Sequence, residues 1–99
     1  MTPVERLQNW YQAQCDGDWE HTWGIRIDTL DNPGWSIKID LKGTDLEEIT
    51  YETSMTERSK HDWIHTSRDE RQFRMFCGPT NLDEALTLFC DWAQAKRPS

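Results

Sequence analysis

Three carboxylates and an imidazole lie within six consecutive residues of this chain: Asp16, Asp18, Glu20 and His21. Carboxylates two positions apart are typical ligands of calcium and magnesium, and a carboxylate pair suits general acid–base catalysis when an apolar environment raises one pKa. The common calcium loop needs a glutamate at its twelfth position, however, and the twelfth residue counted from Asp16 is Ile27. We therefore predict no catalytic residue and no metal ligand here. A small metal-binding or hydrolytic domain built on this cluster is retained as the alternative function.

The histidines and cysteines could supply two further chemistries, zinc binding and thiol catalysis. His61 and His65 are four positions apart, which on a helix would place both rings on one face. The residues around them read as a strand, in which four positions span about 13 Å, so we interpret them as surface histidines. The cysteines, an odd number without a CxxC pair, predict no disulfide framework, and we interpret them as small buried hydrophobic residues: Cys15, Cys77 and Cys90.

The elements that position these residues follow from capping signals and hydrophobic spacing. Thr2 and Pro3 predict the start of a helix that ends by residues 16–17, where a glycine supplies the left-handed conformation. Thr80 or Asn81 is predicted to cap a C-terminal helix. Between the two helices, period-two alternation predicts strands near 23–28, 35–42, 48–52, 63–68 and 73–77, with a polar loop at 56–60.

The expected fold is α+β, an antiparallel meander sheet of about five strands flanked by an N-terminal and a C-terminal helix packed on one face. Because 99 residues suit one modest core, we expect a single domain over residues 1–99. No N-terminal apolar run resembles a signal peptide, and none is long enough to cross a bilayer. We therefore expect a cytoplasmic protein without a membrane partner. The oligomeric state stays open, and a homo-oligomeric structural protein is a third hypothesis.

The net charge of −7 is concentrated in the middle of the chain. Residues 16–57 hold eleven acids and three bases, whereas the flanking segments are close to neutral. Such a field repels nucleic acids and attracts basic proteins, so we expect a protein partner and no nucleic acid. A solvated acidic face that only keeps the protein soluble is the simpler interpretation.

Six tryptophans supply much of the expected core. Trp23 and Trp35 lie in phase with the strand isoleucines and are expected to be buried among them. Trp19 lies outside that phase, and a part-exposed tryptophan beside carboxylates would be a good anchor for a protein partner. Stacking on nucleobases would need a basic groove, which the acidic stretch around Trp19 does not offer.

Several short motifs follow one another along nearly the whole chain. They are LQNWY at 7–11, CDGDWEH at 15–21, LDNPGW at 30–35, IDL at 39–41, DW at 62–63, GP at 78–79 and NL at 81–82. Together they resemble immunity protein family 53. The resemblance implies a cytoplasmic immunity protein of a bacterial polymorphic toxin system, which binds a cognate toxin domain and needs neither turnover nor a cofactor. It carries over no catalytic residue.

The toxin domain bound by such a protein is expected to be basic, for example a nuclease with a positively charged substrate groove. An acidic inhibitor would be steered to that groove and would occupy it like a nucleic acid backbone. The candidate toxin-binding residues all lie in the acidic stretch: Asp16, Asp18, Trp19, Glu20, Asp45, Glu47 and Glu48.

Overall fold

The computed structural model describes residues 1–96, which form three helices and five strands. In chain order these are α1 (Pro3–Gln14), α2 (Trp19–Thr22), β1 (Ile25–Leu30), β2 (Gly34–Asp40), β3 (Ser54–Ser59), β4 (Asp62–Arg68), β5 (Gln72–Cys77) and α3 (Leu82–Lys96). Thr2 caps α1 as predicted, because its hydroxyl accepts from the backbone N–H of Glu5, whose carboxylate accepts in return from the N–H of Thr2. None of the described helices is both long and apolar enough to span a membrane.

The five strands form one antiparallel sheet in the order β1-β2-β5-β4-β3. The predicted α+β class, with an antiparallel sheet and a helix from each end of the chain, is confirmed. The predicted meander order is wrong at one step, because β2 pairs with β5 and not with β3. This pairing sets Ile37 opposite Met75 and Ile39 opposite Phe73, all four fully buried. The most apolar strands therefore occupy the centre of the sheet, and β3 is left at an edge.

The third strand is the element that the sequence pattern misplaces. Residues 48–52 lie in the β2–β3 loop, where Ile49 and Tyr51 pack against the core from a backbone that is not a strand. Tyr51 also shares a hydrogen bond of 2.6 Å with the hydroxyl of Thr66. The third strand, β3, occupies the segment for which a polar loop was predicted, and all six of its residues are exposed.

The core lies between one face of the sheet and the two longer helices. Phe89 of α3 is its centre, with a ring centroid 5.2 Å from that of Phe73 on the sheet and 5.1 Å from that of Trp10 on α1. These edge-to-face contacts join all three layers. Trp23 and Trp35 pack against the same core, as predicted, but are only partly buried.

Three loops meet at one end of the sheet. β2 ends and β5 begins there, and the backbone N–H of Leu41 donates to the carbonyl of Arg71 at 2.7 Å. The α1–α2 turn, the β2–β3 loop (41–53) and the β4–β5 turn (69–71) all lie at this end. The β1–β2 turn (31–33) and the start of α3 lie at the opposite end.

Candidate functional site

The α1–α2 turn is built around the carboxylates of Asp16 and Glu20. Oδ1 of Asp16 accepts from the backbone N–H groups of Asp18 and Trp19, both at 2.9 Å, and so begins α2. Glu20 reaches back to accept from the N–H groups of Asp16 and Gly17, at 3.0 and 2.9 Å. The hydrogen bond from the N–H of Trp19 lowers the pKa of Asp16, and a bond from its own backbone N–H lowers that of Glu20. Both carboxylates therefore hold their own turn together.

Glu47 fixes the beginning of the β2–β3 loop in a similar way. Its carboxylate pairs with Nζ of Lys42 at 3.0 Å and accepts from the backbone N–H of Gly43 at 3.2 Å. The bond from Lys42 lowers the pKa of Glu47. Gly43 has a φ of 77°, a conformation that favours glycine and turns the chain sharply out of the sheet.

Trp19 joins these two acidic segments and is not exposed. The prediction that it is part-exposed is wrong, because only 5% of its surface is accessible. The single turn of α2 directs its indole inward, where it meets Trp10 edge-on at 6.2 Å between ring centroids. The indole N–H donates to the carbonyl of Lys42 at 2.7 Å. The acids of the α1–α2 turn and those of the β2–β3 loop are therefore neighbours in space.

Arg68 clamps the β2–β3 loop from the end of β4. Its guanidinium donates to the carbonyl oxygens of Leu46 and Glu47, both at 3.0 Å, and to that of Ile49. Its Nε donates to the carbonyl of Asp69 at 3.0 Å. Because its donors are taken up by the backbone, this arginine positions the acidic loop and is not a free surface cation.

Two acids outside the predicted toxin-binding set, Asp69 and Glu70, lie at the same end of the molecule. Together with Glu47 and Glu48 they line an open groove of about 580 Å³. The sequence does not mark this pair as part of an acidic surface, because arginines at 68 and 71 flank it and cancel its charge. Only the fold shows that Arg68 is turned towards the backbone. Asp69 accepts from two backbone N–H groups of the turn, whereas Glu70 is exposed and its side chain makes no hydrogen bond or ion pair with the described residues.

We call the carboxylates that the three loops bring together the acidic end. Its members are Asp16, Asp18, Glu20, Asp45, Glu47, Glu48, Asp69 and Glu70. Asp18, Glu48 and Glu70 are exposed, and their side chains make no hydrogen bond or ion pair with any part of residues 1–96. These three carboxylates are therefore the ones most open to a partner. Asp16, Glu20 and Glu47 shape the loops that carry Asp18 and Glu48.

The acidic end does not have the geometry of a metal or acid–base site. Among the described residues, no group of three or more His, Cys, Asp or Glu side chains is placed to hold a metal ion. The pKa values of Asp16 and Glu20 are lowered, whereas a general acid at neutral pH needs a raised one. His65 bonds to Glu57 at 2.9 Å on the sheet, and burial raises the pKa of the Cys77 thiol to about 11. The alternative metal-binding or hydrolytic function gains no geometric support from these groups.

Comparison with protein families shows what kind of protein carries this site. A family model described as Immunity protein 53 matches residues 4–94 of the 99-residue chain. This chain belongs to the Immunity protein 53 family. The match runs from α1 to near the end of α3 and includes every residue of the acidic end. No curated protein and no solved structure matches the chain.

Membership in the Immunity protein 53 family confirms the resemblance drawn from the sequence motifs. The family name describes its members as immunity proteins, and an immunity protein implies a toxin as its partner. Both tryptophans that pack around the acidic end, Trp10 and Trp19, lie in motifs that carry the resemblance.

Proposed function

We propose that this chain binds a cognate toxin domain of a bacterial polymorphic toxin system and neutralises it in the cytoplasm, acting as a single immunity domain. The observation that carries the proposal is the family match over residues 4–94. Neutralisation by binding needs a stable surface and no chemistry. The acidic end meets this requirement, because side-chain-to-backbone hydrogen bonds hold its loops in place.

The charge of the acidic end favours a basic toxin domain, such as a nuclease with a positively charged substrate groove. Acids from three loops converge there, and Lys42 and Arg71 are the bases in the same loops. Lys42 is already paired with Glu47. A field of this sign accelerates encounter with a basic groove, and the carboxylates then take the place of phosphates.

The test needs a candidate toxin domain: where a large secreted protein is encoded beside this gene, its C-terminal domain is expressed alone. We expect its expression to arrest growth of a bacterial host and co-expression of this chain to restore it. The purified pair should form a complex whose association rate falls as ionic strength rises from low to physiological. Growth arrest without rescue, and no complex, would rule out the proposed function. An association rate insensitive to salt would contradict electrostatic steering but would leave the proposed toxin binding standing.

A pair of matched double variants assigns the binding to the acidic end. Asp18→Asn with Glu48→Gln neutralises two of the three open carboxylates, one from each of two loops. Asp31→Asn with Asp83→Asn changes the net charge equally at the opposite end of the sheet, where both residues are also exposed. We expect the first variant to slow association about tenfold and the second to leave it near the wild-type rate. Equal effects of the two would show that total charge matters and the acidic end does not.

A further inference from the structure

Three exposed apolar side chains gather along a groove between α1 and β1. The groove has a volume of about 330 Å³ and is lined by Val4, Leu7 and Tyr11 of α1 and by Ile25 of β1. Val4 and Tyr11 are 48% and 38% exposed, and Ile27, two positions along β1 on the same face as Ile25, is 41% exposed. Of the exposed large hydrophobic residues in the described part of the chain, Val4 and Tyr11 line this groove, and Ile27 continues its apolar surface along β1.

The backbone of β1 is open along the side that borders the groove. β1 is an edge strand and, among the strands of residues 1–96, pairs only with β2. The N–H of Asp40 donates to the carbonyl of Gly24 at 3.0 Å, so even-numbered residues of β1 bond to β2. In an antiparallel pair the alternate residues direct their N–H and C=O groups the other way. The backbone groups of Ile25, Ile27 and Thr29 therefore point outward, available to another strand.

The opposite edge of the sheet is protected against such pairing. β3 carries an irregularity between Glu57 and Ser59 where the register with β4 shifts. It also presents Glu57 and Arg58, and Lys60 follows it. Bulges and charges on an edge strand block the approach of a further strand. β1 carries two charged residues as well, but its register is regular and an apolar groove runs beside it, so it is the edge that accepts a partner.

The charge next to the groove indicates the chemistry of that partner. Tyr11 borders the groove on one side. On the other side it meets Trp19, which joins the acidic α1–α2 turn to the β2–β3 loop, at 6.0 Å between ring centroids. The thiol of Cys15, at the start of the acidic turn, donates to the carbonyl of Tyr11. A strand lying on β1 therefore runs towards carboxylates. A second copy of this chain, with a net charge of −7, is repelled there, and a basic segment is attracted.

We propose that an extended, basic segment of the toxin domain pairs with the free edge of β1, inserts an apolar side chain into the α1–β1 groove and directs its cationic residues to the acidic end. This inference rests on the proposed function and deepens it by naming the docking surface. The main-chain bonds supply affinity, and the groove and the acids supply specificity.

Ile27→Glu tests the apolar part of the docking surface. Leu88→Glu is its matched control, because Leu88 on α3 is also 41% exposed and a glutamate again replaces an aliphatic side chain of the same size. With the same candidate toxin domain as the probe, we expect Ile27→Glu to weaken binding about 30-fold or more. Leu88→Glu should bind within about twofold of wild type.

Thr29→Pro tests the strand pairing. It removes an N–H that points away from β2, so the sheet keeps its own ladder, and proline is tolerated at such edge positions. Thr29→Ala is the control, since it removes the same side chain but keeps the N–H group. We expect the proline variant to bind about tenfold more weakly than the alanine variant, with circular dichroism spectra unchanged.

Hydrogen exchange on the wild-type protein gives a measurement that needs no variant. The amides of Ile25, Ile27 and Thr29 should exchange freely in the isolated chain and become protected when the toxin domain is added. Wild-type neutralisation with unchanged exchange at these amides, and with undiminished binding by Ile27→Glu, would overturn this inference and leave the proposed function standing. A wild-type protein that neither binds nor neutralises would overturn both. A dimer in solution that Ile27→Glu dissociates would assign the edge to a second copy instead.

Discussion

At the residue scale, two buried tryptophans with different hydrogen bonding should respond differently to the same substitution. The indole N–H of Trp19 donates to the carbonyl of Lys42, whereas that of Trp10 is buried without a partner among the described residues. Trp19→Phe leaves a carbonyl unsatisfied, while Trp10→Phe removes an unsatisfied donor, which offsets part of the lost ring contact. We expect Trp19→Phe to lower the free energy of unfolding by about 1–2 kcal/mol more than Trp10→Phe does, measured by urea denaturation.

The two variants control for each other, because the change in side-chain volume is the same. Equal losses of stability would mean that the bond to Lys42 contributes nothing net. A larger loss for Trp10→Phe would mean that ring packing against Phe89 outweighs hydrogen bonding. The position of each tryptophan in the hydrophobic pattern of the sequence could not show that both are buried or that only one has a hydrogen-bond partner. It predicted exposure for Trp19, since the strand pattern does not extend back to that position and a one-turn helix gives no periodic signal of its own.

At the scale of elements, the β2–β3 loop depends on one side chain from β4. Arg68 donates to three carbonyl groups of that loop, a fork geometry that lysine cannot reproduce. We expect Arg68→Lys to lower the free energy of unfolding by about 2–3 kcal/mol. It should also accelerate hydrogen exchange within residues 41–53, with little effect on the centre of the sheet.

Arg71→Lys is the matched control for that substitution. Arg71 is exposed on the neighbouring turn, and its side chain forms no hydrogen bond with the described part of the chain. Its replacement should change stability by less than about 0.5 kcal/mol. Should both variants behave alike, the bonds from Arg68 would not be what holds the loop.

The same loop shows where strand prediction from the sequence stops. Strands β1, β2, β4 and β5 follow apolar alternation, and their predicted positions agree with the structure within a few residues. Residues 48–52 alternate as well, but Ile49 and Tyr51 face the core from a loop that Arg68 has shaped. β3 has no buried face, so no hydrophobic pattern marks it, and only pairing with β4 makes it a strand.

At the scale of the whole molecule, stability should fall in acid. Carboxyl groups with lowered pKa values occur in α1, around the acidic end and beside Arg58: Glu5, Asp16, Glu20, Glu47, Asp62, Asp69 and Glu84. Each releases its proton at a lower pH in the folded chain than at the ordinary values of 3.8 for Asp and 4.5 for Glu. The unfolded chain therefore binds more protons near and below those values, and the free energy of unfolding rises with pH there.

We accordingly expect full stability above about pH 5 and a progressive loss below about pH 4.5, measured by urea denaturation at constant ionic strength. Asp16→Asn keeps an acceptor for the two N–H groups but cannot titrate, so its stability should depend less steeply on pH. A wild-type stability that is flat down to pH 3 would contradict the expectation.

The concentration of acids in the chain predicted an acidic surface, but its boundaries depend on the fold. The candidates from 16–20 and 45–48 are neighbours because Trp19 bonds across to Lys42, a contact between distant segments that composition cannot reveal. Asp69 and Glu70 join them only because β5 lies beside β2. The family, by contrast, could be predicted, since its motifs are local words in the sequence.

The strand order also determines how the chain assembles. The β1–β2 hairpin and the β3-β4-β5 unit form from local contacts, each hairpin within about 1–10 μs. Pairing of β2 with β5 must bring Asp40 and Gln72 together across all the residues between them. Because closing a long loop costs entropy, we expect this pairing to be the slow step of folding. Truncating Ile39 or Phe73 should therefore slow folding, whereas changes in β1 should mainly speed unfolding. A partner strand paired with β1 would then slow the unfolding of the complex.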